Sequence, residues 1–256
     1  MKNLVAVLSA LFVGFMQISD FRTNENTSLT PTRIRLEIKE QENNLAVNKS
    51  LPCLGFCNTK ANAMFLQFLQ YFGDDEAREV SGYALSNNFF QSILRDDPYY
   101  TDFYVFMTSS VSLRAAMPEE SVELMNLGLA SLADERPEDS FYVWRYKAID
   151  ELLFLGDAEA AKSSFEMAAA WAKQSSLPES DLIASTSQQT ANFLEQNPDS
   201  KSAQVSAWSS VLSSAIDDET RKRAINGIHA LGGQIIVNND GSITVRYART
   251  EQDAES

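Results

Sequence analysis

From residue 58 onward, apolar residues recur three or four positions apart, the spacing of one face of an α-helix. The clearest stretch covers residues 142–173. Trp144, Ala148, Leu152 and Leu155 share one face, Gly156 and Asp157 interrupt, and Ala158, Ala161, Phe165, Ala168 and Ala172 make a second face. The pattern predicts two antiparallel helices joined by a tight turn. Ala161 and Ala168 are small enough to let the two axes approach, and the Phe165 ring fills the gap between them.

The same reading extends to both sides. Ala63, Phe65, Leu66, Phe68, Leu69 and Phe72 predict a dense apolar helix ended by Gly73, Asp74 and Asp75. Phe89, Phe90, Ile93 and Leu94 predict its partner, closing at Pro98. The next pair covers 99–116 and 118–133. Pro118 suits a first helical turn, and Glu119 and Glu120 favour the positive end of the helix dipole. After Pro178 a helix over 180–196 has Leu182, Ile183, Thr186, Ala191 and Leu194 as buried candidates. Residues 201–216 and 218–231 form a last pair, ended by Gly232 and Gly233. The period then changes. β-Branched residues flank Asn239, Asp240 and Gly241, which predicts a hairpin over 234–247 with Ile243, Val245 and Tyr247 on one face. Residues 248–256 are a polar tail.

The N-terminal region reads differently. Residues 4–18 form an apolar run behind Lys2, and as a helix they reach about 22 Å against a hydrocarbon core of ~30 Å. That length fits the core of a signal peptide, yet no small-x-small pair follows it. Residues 1–19 are therefore expected to be either a cleaved signal peptide or a retained N-terminal membrane anchor, the competing reading of the apolar run being a buried N-terminal helix. Either way Lys2 keeps the N-terminus in the cytoplasm and the body outside. Residues 20–57 read as a polar linker or stalk. Within it Ile34, Leu36 and Ile38 alternate as in a strand, while Ile34, Ile38 and Leu45 also fit a helix face. Cys53 and Cys57 enclose three residues, one of them Gly55. They form a small disulfide loop if Gly55 bends the chain, and otherwise stay two reduced thiols.

Charge narrows the partners. Acidic residues outnumber basic ones 35 to 21, a formal net charge of −14. Nucleic acid and anionic membrane surfaces repel such a chain, because binding to phosphate rests on Lys and Arg. A basic or neutral protein partner fits. Motifs narrow the chemistry: no phosphate-binding glycine loop, HExxH helix or nucleophile elbow occurs. The acidic pairs Asp74 and Asp75, Asp96 and Asp97, and Asp217 and Asp218 sit at helix boundaries, where aspartate caps backbone N–H groups. The single histidine, His229, lies near a helix end, where it meets the last carbonyls. The chain is expected to be no enzyme and to need no cofactor or metal.

Gly156, Ala161, Phe165 and Ala168 together resemble the second half of a tetratricopeptide repeat. The resemblance implies an all-α fold, a right-handed solenoid of antiparallel helix pairs over residues 58–233, with the hairpin capping its end. Pro98, Pro137 and Pro178 close successive units 39 and 41 residues apart, longer than the ~34 of the standard repeat. The first helices also lack the family's usual Trp, Leu, Gly and Tyr. Residues 142–157, 197–212 and 231–241 are similar to an uncharacterised group of exported or membrane-associated cyanobacterial repeat proteins, implying a photosynthetic bacterium.

Ligands of such scaffolds lie in the groove lined by the first helices. Setting Gly156 at the family's turn position puts Val143, Tyr146, Lys147, Asp150 and Leu153 on that surface. Aligning Pro118 with Ala158 adds Phe103, Phe106, Met107, Ser110 and Arg114. The resemblance thus implies a protein-binding groove in which Arg114 and Lys147 meet a partner carboxylate. In the competing reading Phe103, Phe106 and Tyr146 are packing between repeats. The function expected is a non-enzymatic scaffold on the periplasmic or thylakoid-lumen side of a membrane, holding another protein during assembly of a membrane complex. The alternative is a binder of a small apolar ligand, lipid or pigment, within the superhelix, suggested by 15 Phe and 8 Tyr.

Overall fold

Residues three and four apart supply the core in helix after helix. In the computed structural model, which describes residues 30–133, 136–238 and 243–247, the first helix, α1, is Pro31–Ser50. Thr30 caps it, its hydroxyl accepting from the Arg33 N–H at 3.3 Å. Ile34 and Leu45 are buried while Leu36 is 65 % exposed, which is a helical pattern; a strand would have turned 34 and 36 to the same side. Part of the stretch expected to be linker is therefore helix, and Leu45 joins the main core. The polar positions between its apolar residues face solvent, which is why composition alone suggests a stalk.

Between α1 and α2 (Cys57–Phe72), Leu54 and Gly55 take left-handed φ of 49° and 87°. That bend brings Cys53 and Cys57 together as a disulfide, with Cα atoms 4.8 Å apart. Helix α2 turns Ala61, Met64, Phe68 and Tyr71 inward. They meet α4 (Ser86–Asp96), with the short α3 (Asp75–Ser81) between. Phe68 packs edge-on against Phe90 at 4.7 Å between ring centroids.

Helix α5 is Asp102–Met107 and α6 is Pro118–Leu132. They approach so closely that a Cβ on Gly128 would lie 1.9 Å from Tyr104 Oη. Helices α7 (Phe141–Asp150) and α8 (Ala158–Ala172) are the pair read most clearly in the sequence. Phe165 lies with Ala148, Ala161, Ala191 and Leu194 in a small cluster shared with α9 (Ser180–Gln196).

Helices α10 (Lys201–Ser214) and α11 (Asp218–Ala230) form the last pair and cross the turn between α5 and α6. Arg114 donates to the Ser214 carbonyl at 3.1 Å. Thr220 donates to the Arg114 carbonyl and Arg223 to the Ala115 carbonyl, each at 2.9 Å. Strands β1 (Gln234–Val237) and β2 (Ile243–Arg246) pair antiparallel, Ile235 opposite Val245. Those two side chains pack on the α10–α11 cluster, whereas Ile243, placed with Val245 on one face by the sequence pattern, is half exposed.

The fold is thus mostly helical with a short antiparallel hairpin near its C-terminal end. The apolar run 4–18, the hairpin turn 239–241 and the tail from 248 lie outside the described residues. No described helix is long and apolar enough to cross a membrane.

Candidate functional site

Both first helices of the central pairs widen before they end. Helix α5 continues into a π-helical segment, Thr108–Arg114, and α7 into another, Glu151–Leu155. Such segments add a residue to the turn and are common at functional sites. Each is closed by a backbone bond spanning six residues: Met117 N–H to Val111 O and Asp157 N–H to Glu151 O, both 2.9 Å. The turns after them match as well, with Ala116 and Gly156 both left-handed at φ 54° and 69°.

The second widening begins where two adjacent buried acids, Asp150 and Glu151, meet. Glu151 takes the Lys147 ammonium on Oε1 at 2.6 Å and the Ser164 hydroxyl on Oε2 at 2.6 Å. Lys147 also donates to Ser164 at 3.0 Å, so the three groups form a closed buried cluster. Asp150 points instead toward the preceding pair and accepts from the Ser112 hydroxyl at 2.5 Å. Burial pushes its carboxyl up to about 7; the Ser112 hydroxyl bond opposes the rise and the neighbouring Glu151 adds to it.

Asp150 lines a cavity of about 310 Å³ between the two widened helices and α10. Tyr146, Ile149, Leu153 and Phe154 come from α7 and its extension, Thr108 and Leu113 from the extension of α5, and Ala207 and Ser210 from α10. The walls are mostly apolar and the buried carboxyl is the one acidic group among them. A recess of this kind binds apolar groups by area and fixes them through a single hydrogen-bonding or charged contact.

The residues expected in a groove are divided by this arrangement. Phe103, Met107, Ser110 and Val143 are fully buried and belong to the core. Phe103 lies between the rings of Phe65 at 4.9 Å and Tyr100 at 4.8 Å. For Phe103 the packing reading of the sequence is the one that fits. Phe106 is 41 % exposed and meets Phe65 edge-on. Tyr146 is half-buried, stacked on Tyr142 at 6.2 Å. Arg114 and Lys147 each donate within the chain, so the group this face offers a ligand is the Asp150 carboxyl rather than a cation. Of the expected residues, Tyr146, Asp150 and Leu153 come together in the cavity. Leu113 and Ile149 were legible as neighbours of the expected positions, adjoining Arg114 and Asp150. Ala207 and Ser210 were not, because nothing local signals that α10 packs there.

No group of three or more His, Cys, Asp or Glu among the described residues is placed to hold a metal ion. A match was found to no protein-family model, no curated protein and no solved structure.

Proposed function

We propose that this chain is a non-enzymatic, tetratricopeptide-like repeat scaffold outside the cytoplasm. It holds a basic segment of another protein, one apolar side chain of which enters the cavity beside Asp150. The cavity is the observation that carries this reading: an apolar recess on two successive first helices, flanked by exposed Leu113 and Ile149 and containing one buried carboxyl.

A shift of forty residues supports the repeat relation. It sets Ala116 on Gly156, both in left-handed turns, Phe103 on Val143, both fully buried, and Pro118 on Ala158, both at helix starts. Charge supports a basic partner. The chain carries −14, and a cation brought to Asp150 would hold that carboxyl ionised. The Cys53–Cys57 disulfide supports an oxidising compartment, consistent with the periplasmic or thylakoid-lumen side of a membrane and with a role beside a membrane complex.

The test is capture of the partner from detergent-solubilised membranes, followed by Leu113→Asp combined with Ile149→Asp. Both side chains are more than a third exposed, so circular dichroism should show an intact fold while the partner is lost. Retention of the partner at the parental level would overturn the reading. The second reading, a small apolar ligand, is favoured by the cavity volume, which lies at the lower end of the range of small-molecule sites. A stoichiometric lipid or pigment seen by native mass spectrometry, without any protein partner, would establish it in place of the first.

A further inference from the structure

A second cavity, sharing no residue with the first, lies between α1, α2 and α3 and measures about 350 Å³. Arg78 of α3 lines it and is only 2 % exposed, which makes it the largest fully buried side chain described. Its guanidinium stacks over the Tyr71 ring at 3.7 Å. Nε and Nη1 have no hydrogen-bond partner among the described residues. Burial works against the charge, the nearby Asp74 carboxylate offsets part of that cost, and a guanidinium remains protonated inside proteins. A buried cation with unmet donors is costly unless something completes it.

We infer that this cavity binds a small zwitterion of the amino-acid class, its carboxylate on Arg78 and its ammonium among Glu37, Glu40 and Asp74. The fork of an arginine matches a carboxylate with two parallel hydrogen bonds. A simple anion is disfavoured, because those three carboxylates line the same cavity and the whole chain carries −14. A simple cation leaves Arg78 unmet. A molecule bearing both charges satisfies both ends, and the amides of Gln41, Gln67 and Gln70 line the space between for its remaining polar atoms. Asp74 is already oriented, its Oδ1 accepting from the Ala77 N–H at 3.1 Å.

Isothermal titration calorimetry of the full chain against the common L-amino acids tests this, with acetate and methylammonium as single-charge probes. At least one amino acid is expected to give saturable binding, with both single-charge probes at least roughly tenfold weaker, the loss expected when a charged contact is missing. Arg78→Met should abolish that binding while leaving the melting temperature of the ligand-free chain equal or higher, since it removes an unmet buried charge. Glu37→Gln with Glu40→Gln, at exposed positions, should weaken it with the fold intact. No saturable heat from any amino acid, acetate binding as tightly, or unchanged affinity in Arg78→Met would each overturn the inference. Should Arg78→Met fail to fold, the double Glu variant decides, and unchanged affinity there overturns it equally.

Discussion

Gly128→Ala places a methyl group where there is no room for one. The new Cβ would stand 1.9 Å from Tyr104 Oη, 2.6 Å from Cζ and 2.7 Å from Cε1. Tyr104 is fully buried and donates to the Pro98 carbonyl at 2.9 Å, so the ring has no free direction in which to swing. Overpacking of this kind costs ~1–3 kcal/mol. Displacing the hydroxyl adds ~1–3 kcal/mol for the buried groups left unpaired. Alanine's better helix propensity returns ~1 kcal/mol. The expected net loss is about 3 kcal/mol, a fall in melting temperature of roughly 6–12 °C for a chain of this size. Thermal melts followed by circular dichroism read it directly. Leu127→Ala, at the exposed position next along the same helix, is the control and should change stability by less than ~0.5 kcal/mol. A Gly128→Ala melt within about 1 °C of the parent would refute the close contact between α5 and α6.

Asp150 sets a pH dependence. The unfolded carboxyl titrates near 3.8 and the folded one near 7, so between those values the folded chain keeps a proton that the unfolded chain has released. This group's contribution to stability therefore falls as pH rises through that window, and Asp150→Asn should flatten the melting temperature between pH 4 and pH 8; an unchanged slope would mean the carboxyl is not buried. Lys147→Met leaves the Glu151 carboxylate buried without its cation, a loss of ~3–5 kcal/mol that Glu151→Leu in the same chain should largely restore. Equal stability of the single and double variants by urea unfolding would contradict the closed cluster. Cys57→Ser opens a loop closed across a sequence separation of four and should cost about 2 kcal/mol by the chain-entropy relation. Thiol titration of the native parent should find no reactive Cys53 or Cys57.

The local pattern determined the elements because helix formation is read three and four residues at a time. The Gly156 turn, the Pro118 helix start and the apolar faces around Phe165 and Phe68 all follow from that spacing, and so does the change of period at the hairpin. Asp217 and Asp157 serve as caps, accepting from the Thr220 and Ala160 N–H groups at 2.9 Å, as acids at helix boundaries should. In Ile34, Leu36 and Ile38 two periods competed, and packing of α1 decided for the helix.

What the sequence left open depends on contacts between distant segments. Whether Phe103 or Phe106 faces a partner turns on small differences in helix rotation, and the π-helical widening that follows them has no sequence signal of its own. The meeting of Ser112 with Asp150 joins residues 38 apart, and the seat of α10 and α11 joins residues 100 and more apart. Arg78 shows the same limit from the other side. Nothing in its local sequence singles Arg78 out, and only the packing of α1 and α2 around it makes a buried, unmet guanidinium. Periodicity is a property of neighbours along the chain, so it can assign a face; the identity of what covers that face is fixed by packing in three dimensions.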